Sequence, residues 1–154
     1  MKLHTFGTCA GTEPMKGRHH LGFAFELENG LYWFDAGETS SYTACLMGVD
    51  LLRIRSIFIS HTHMDHVGGL GLLMWNIRKL GNVRKRLPDS KNIDLFIPNL
   101  STWEGFMQIL KNTEGDFLCD FSFQPHQVLD GVIYKSKFDD FTVKAYHNNH
   151  IAKK

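Results

Sequence analysis

The stretch Ile54-Arg55-Ser56-Ile57-Phe58-Ile59-Ser60-His61-Thr62-His63-Met64-Asp65-His66-Val67-Gly68-Gly69 decides the fold. Ile54 to Ser60 is apolar and β-branched, the composition of a buried strand, and it runs directly into His-x-His-x-Asp-His. In an extended segment residues two apart point the same way, so His61 and His63 can grip one ion together. Asp65 and His66 then face a second position, where hard oxygen beside borderline nitrogen suits Zn²⁺, Mn²⁺ or Fe²⁺. Gly68-Gly69 lets the backbone turn tightly into a following helix. Solvated loop histidines are a poor account of four ligand-type residues packed into this loop, and metal binding is the reading they support.

Outward from this motif the chain alternates strands and helices. Before it, Lys2 to Phe6 is a short strand, and a glycine-rich loop runs from Gly7 to His20. Leu21, Phe23, Phe25 and Leu27 alternate with smaller or polar residues, Asn29-Gly30 supplies a hairpin turn, and Leu31 to Phe34 returns as the partner strand. Thr39 to Met47 reads as a helix stopped by Gly48. After the motif, Leu70 to Leu80 has helical length and a natural stop at Gly81. Asp94 to Ile97 is a buried strand, and Ser101 with Glu104 forms a capping box for a helix to Leu110. Phe117 to Phe123, Val132 to Lys137 and Phe141 to Tyr146 read as strands. A mixed α/β layered domain follows, with candidate ligands at strand ends.

Composition bounds the function. The 154 residues carry 17 basic and 16 acidic side chains, a near-neutral balance that gives no overall basic field for nucleic acid. No run approaches the roughly 20 apolar residues of a membrane helix, and Met1 to Thr5 lacks the order of a signal peptide, so a cytoplasmic location without membrane partners is expected. Cys9, Cys45 and Cys119 fit neither a disulfide framework nor a Cys-x-x-Cys clip. The nine histidines are unevenly placed, with His147 and His150 forming a second group. An ion held by two histidines wants a third protein ligand, and both residues follow the strand Phe141 to Tyr146. Spacing leaves the choice between them open.

At these residues the chain resembles the metallo-β-lactamase superfamily, whose signature is His-x-His-x-Asp-His after a buried strand. It is most similar to the tRNase Z-like branch through Gly7 to Gly11, Tyr32-Trp33-Phe34-Asp35-Ala36-Gly37-Glu38 and Ile57 to His61. Pro14 to His19 is similar to that branch's Pro-x-Lys-x-Arg-Asn loop, with His19 in place of asparagine. Val143 to His150 resembles the third ligand segment, and that alignment favours His150. The resemblance implies an αββα sandwich of which residues 1–154 form roughly the first half, truncated toward the C-terminus. It also implies His61, His63 and His150 on a first ion and Asp65 with His66 on a second, both expected to be zinc in the complete protein, with manganese or iron as alternatives.

The chemistry so implied is hydrolysis by a metal-bound hydroxide, with Asp65 orienting it or taking its proton. The expected function is a phosphodiesterase or ribonuclease acting on RNA or a small phosphodiester. Hydrolysis of lactones or other esters, and a non-catalytic metal-binding module, are the alternatives. Lys16, Arg18, His19 and His20 would bring donors to an anionic substrate if their loop folds over the ions. Arg78, Lys79, Arg84, Lys85 and Arg86 form a basic stretch that reads first as a solvated face and second as an RNA contact. Asp35 and Glu38 are candidates for orienting the ligand histidines. A half sandwich leaves one sheet face uncovered, and a homodimer is expected to bury it.

Overall fold

The computed structural model describes residues 1–11 and 15–148. Three strands come first, β1 (Lys2–Gly7), β2 (Gly22–Glu26) and β3 (Leu31–Phe34), followed by helix α1 (Ser40–Leu46) and strand β4 (Ile54–Phe58). Helices α2 (Met64–Val67) and α3 (Leu70–Arg84), strand β5 (Asn92–Ile97) and helix α4 (Leu100–Lys111) come next. Strands β6 (Ser122–Gln127), β7 (Gly131–Lys135) and β8 (Thr142–Ala145) complete the order.

Strands β1 to β6 form one sheet in sequence order, antiparallel through β3 and parallel from β3 to β6. Parallel pairing of β3 with β4 brings their C-terminal ends side by side, and the two halves of the candidate site start from those ends. One face of the sheet buries Trp33, Ile57 and Leu95 with Leu73, Met74 and Ile77 of α3. The other face carries a ladder of rings. Phe23, Phe34, Phe58, Phe96 and His126 are register partners on β2 to β6. Their rings stack at 5.1, 4.8, 5.1 and 4.8 Å. That repeat follows the spacing of about 4.7–4.9 Å between neighbouring strands. Each aromatic pair adds about 0.5–1.5 kcal/mol beyond its burial.

Strands β7 and β8 pair antiparallel as a separate hairpin that packs over this ladder, with Ile133, Tyr134, Phe141 and Val143 against Tyr32, Phe58 and Phe96. The expectation of an uncovered sheet face is therefore corrected, because the hairpin folds back over its aromatic centre. Its turn is fastened at several points. The wholly buried Tyr32 hydroxyl donates to Asp139 Oδ2 at 2.7 Å and lies 2.6 Å from Ser136 Oγ. Asn29 Nδ2 donates to the Phe138 carbonyl at 2.9 Å, and Arg55 lies over the Phe138 ring at 4.2 Å. Burial pushes the Tyr32 phenol well above its ordinary value, so it stays protonated and able to donate.

Three boundaries differ from expectation. Helix α3 continues past Gly81 to Arg84 and ends on Lys85 at φ 48°, while the Gly81 carbonyl accepts from the Arg86 amide at 3.1 Å. Asn99, not Ser101, caps α4, its side chain accepting from the Ser101 amide at 2.9 Å. The apolar run Phe117 to Phe123 leads into β6 instead of forming a strand itself. Phe117 sits at φ 54° and is drawn into the helix-side core, 6.0 Å from the Arg78 guanidinium.

Two outcomes follow from these contacts. Tyr32→Phe is expected to lower stability by about 1–2 kcal/mol in urea unfolding and to speed amide exchange in β7–β8 selectively. Glu26 bonds His4 at 2.8 Å and pairs with Arg53, and the His4 contact leads the causes that hold its carboxyl below the ordinary value. A depressed carboxyl contributes stability that is present above its unfolded pKa, near 4.5, and is lost as pH falls through the folded value. Glu26→Gln should remove up to about 1 kcal/mol at neutral pH and flatten the acid limb of the stability curve.

Candidate metal centre

The motif is extended only through His63, whose φ of −69° and ψ of 147° precede the first turn of α2. Asp65 and His66 lie in that helical turn and are buried, so the extended part of the motif stops at the second histidine. The three imidazoles nevertheless gather. His61 lies 4.6 Å from His63 and 4.0 Å from His66, ring centre to ring centre.

Asp35, at the end of β3, anchors the cluster. Its Oδ1 accepts from the Ser60 amide at 2.7 Å, and its Oδ2 accepts from Ser60 Oγ at 2.8 Å. The same Oδ2 lies 2.8 Å from His66 Nδ1. An ionised carboxylate only accepts, so Nδ1 carries the proton and Nε2 faces the site. Burial pushes His66 down, but the hydrogen bond and charge of Asp35, with Asp65 behind them, outweigh it and raise its pKa. Asp65 behaves in mirror image. Burial pushes its carboxyl up, and the Gly11 amide donating at 2.7 Å, with His66 and His61 nearby, brings it below the ordinary value. Asp65 Oδ2 lies 3.3 Å from His66 Nε2.

The backbone around Asp35 is as constrained as its side chain. Its φ of 52° lies in the left-handed region, sparsely populated for a residue with a Cβ. Its amide donates to the Phe58 carbonyl at 2.8 Å, and its carbonyl accepts from the Trp33 indole at 2.6 Å. The next two residues pass close against the loop after the motif. A Cβ on Gly37 would stand 2.6 Å from the Asp65 carbonyl oxygen, and one on Gly69 would stand 2.3 Å from the Gly37 carbonyl oxygen. Gly68 and Gly69 have φ of −60° and −93°, so Gly69 is demanded by this close approach and not by a turn only glycine can make.

A cavity of 630 Å³ opens between the sheet and the hairpin. Asp35, Ser60, His61 and His66 line one end, Phe23, Phe34 and Phe58 the floor, and Val143, Lys144 and His147 the opposite wall. His147 is thus placed at the cavity, its amide donating to Asp130 Oδ1 at 2.8 Å. His150 lies outside the described residues. Among the described residues no three His, Cys, Asp or Glu side chains close around one point as an ion site would require. The donor set still suits a divalent ion, with imidazole nitrogens beside a carboxylate held ionised, and one imidazole fixed from behind by Asp35.

The loop residues expected to meet substrate are placed elsewhere. Lys16 and Arg18 are exposed, and His19 bonds Thr39 Oγ1 at 2.9 Å. His20 is half-buried, 4.0 Å from Glu38. None of the four lines the cavity; the loop reaches the site through the Gly11 amide instead. The basic stretch is a solvent-facing one at Arg84, Lys85 and Arg86, and only Arg78 departs from that reading. Arg78 is buried and bonds the Leu118 carbonyl, Lys79 pairs with Glu114, and Arg84 and Arg86 both pair with Asp50. Trp33 and Gly11 lie in segments that carry the resemblance, but no residue pattern announces their contacts, since one acts through an indole N–H and the other through a main-chain amide.

A mixed sheet with His-x-His-x-Asp-His at the end of its fourth strand, and a third-strand carboxylate bonded to the last histidine, defines a protein of the metallo-β-lactamase fold. The chain belongs to the family described as anti-Pycsar protein Apyc1, whose model matches residues 1–154. Among curated relatives, the ribonuclease Z of Methanocaldococcus jannaschii is 28% identical over 155 residues, covering 97% of this chain and 44% of that protein. The ribonuclease Z of Treponema pallidum is 42% identical over 67 residues, 43% of this chain and 22% of that protein. Human tRNase Z, short form, superposes with a TM-score of 0.65 at 26% identity, over 82% of this chain and 44% of that one. The metallo-beta-lactamase fold protein YhfI of Bacillus subtilis gives 0.62 at 17% identity over 86% of this chain and 48% of that one, a likeness of fold. The chain is thus tRNase Z-like, and it spans less than half the length of these relatives.

Asp35→Asn replaces an acceptor of three hydrogen bonds with a group that accepts at one oxygen only. A loss of about 1–3 kcal/mol in denaturant unfolding is expected, together with disappearance of the downfield His66 Nδ1 proton from the NMR spectrum.

Proposed function

We propose that the protein is a metal-dependent phosphodiesterase of the tRNase Z-like type, acting on RNA or a small phosphodiester. The observation that carries this reading is the Asp35–His66 hydrogen bond at 2.8 Å at one end of the cavity, which His61 also lines, with His63 next to His61 and Asp65 next to His66. In this reading His61, His63 and His150 hold one divalent ion, while Asp65 and His66 serve a second. Zinc is the expected ion, with manganese or iron as alternatives. Such an ion, when bound, lowers the pKa of a water to about 7 and stabilises charge on phosphate oxygens.

The chain's own residues do the rest. Asp35 fixes the tautomer and ring plane of His66. In this reading Asp65, kept ionised with the help of the Gly11 amide, orients a nucleophile or accepts its proton. Phe23, Phe34 and Phe58 make the floor of the cavity apolar, and Lys144 supplies a cation at its wall. The volume of 630 Å³ falls in the range of about 300–1,000 Å³ for small-ligand sites, which supports a small phosphodiester, while the ribonuclease Z relatives support RNA. Lys16, Arg18, His19 and His20 are proposed to meet the anionic substrate from outside the cavity. A cytoplasmic homodimer belongs to the same reading, supported by the apolar side chains of Tyr42 and Leu46 exposed on α1.

The test measures metal content by elemental mass spectrometry and hydrolysis of an aryl phosphodiester, on the protein purified without chelator and on His63→Ala. Bound ion and turnover that both fall at least tenfold in the variant are expected, as is a dimer in light scattering. Turnover that survives His63→Ala, or ion content equal in both proteins, would overturn the reading.

A further inference from the structure

We propose that Trp33 is a positioning residue for the metal centre, acting through its indole N–H on the backbone of Asp35; this rests on the reading of His66 as a ligand. Trp33 is wholly buried, stacked on Phe6 at 4.4 Å between ring centres, and its Nε1 donates to the Asp35 carbonyl at 2.6 Å. It does not line the cavity. What it controls is the conformation of the residue two places ahead.

Asp35 must satisfy several demands at once. Its φ of 52° is unfavourable for a side chain with a Cβ, and such a conformation persists only where its surroundings over-determine it. The Phe58 carbonyl holds the amide side of the residue and the Trp33 indole holds the carbonyl side. Clamped between them, the carboxylate is aimed at Ser60 and His66 and away from the strand. Without the indole N–H, the Asp35 carbonyl becomes a buried acceptor lacking that donor, and rotation toward negative φ relieves both the strain and the missing bond. That rotation swings the carboxylate off His66 Nδ1, which frees the imidazole plane. Trp33 thereby sets the direction of His66 Nε2 through two linked contacts, its own bond to the Asp35 carbonyl and the bond of Asp35 to His66, and an aliphatic or phenyl side chain would not.

The decisive comparison is between wild type, Trp33→Phe, and protein in which Trp33 is replaced by benzothienylalanine, which keeps the bicyclic volume but has sulfur in place of the N–H. Phe6→Leu is the control, since it loosens the ring stack and leaves the indole N–H in place. Two readouts are taken: the downfield His66 Nδ1 proton by NMR in chelator, and Zn²⁺ affinity by competition with a chromogenic chelator. Both N–H-deficient proteins are expected to lose or shift that proton and to bind Zn²⁺ about tenfold more weakly, while Phe6→Leu loses stability only. An unchanged proton resonance in the benzothienylalanine protein would overturn the proposal, even if Trp33→Phe fails to fold. The NMR readout needs no metal. Wild type that shows the proton but takes up no zinc therefore counts against the metal reading alone, and leaves the control of Asp35 by Trp33 judged on the resonance.

Discussion

The hydrogen bond between the Asp35 carboxylate and His66 Nδ1 is the contact on which the rest of the site depends. It joins the end of β3 to the turn of α2, and the same carboxylate receives both donors of Ser60 at the end of β4. Three segments therefore meet on one side chain. Their meeting is possible because β3 and β4 run parallel, with Phe34 in register with Phe58, so both strands end at the same level. Open α/β sheets place their ligands beyond the carboxyl ends of such strands, and here the reason is visible in the residues. Only at that edge can a strand-end carboxylate and the following strand's loop face each other without interrupting a ladder.

Holding this contact has a cost, and the structure meets it by close packing. Asp35 sits in a left-handed conformation, of order 1–3 kcal/mol unfavourable for such a residue. Against that stand its two clamped backbone groups, the three donors on its carboxylate, and the main-chain bonds from Ala36 to His66 at 2.6 Å and from Gly69 to Ala36 at 2.7 Å. The absence of side chains at Gly37 and Gly69 allows the two segments to approach closely enough for those bonds to form. A strained residue surrounded this completely is held in place, and the His66 ring that it bonds is held with it.

Much of this was legible in the sequence, and the gaps have physical causes. The strand Ile54 to Ser60, the Asn29-Gly30 hairpin and the helix stopped by Gly48 could be read because periodicity and turn chemistry are local. The grouping of His61, His63, Asp65 and His66 after the strand followed from spacing, although Asp65 and His66 fall in the turn of α2, and Asp35 stood out by its position after a strand, where it bonds His66. Tertiary competition hid the rest. Phe117 reads as a strand residue, yet its ring serves the helix-side core, so the ladder starts only at Ser122. Arg78 reads as part of a basic run, yet it is buried against the loop that follows α4. The Gly11 amide that holds Asp65 belongs to a group every residue except proline carries, and no residue identity announces it.

Strand β3 shows why the two sides of the cavity stay coupled. Successive residues of a strand face opposite ways, and Tyr32 and Trp33 use that alternation for different ends. Trp33 points to the helix side and fixes Asp35, hence the histidine end of the cavity. Tyr32 points to the ladder side and holds the turn of the β7–β8 hairpin, hence the wall that carries Val143 and His147. Both act through a single polar atom at the tip of a large apolar ring, which lets the ring supply burial energy while the tip supplies direction. The distance across the cavity is consequently set within one strand, whose neighbours pair with Tyr32, Trp33 and Phe34 on both edges. A wall carried on an independent loop would have to be ordered again on each encounter with a ligand. One fastened through Tyr32 to the same strand whose Trp33 holds Asp35 is ordered once, when the sheet folds.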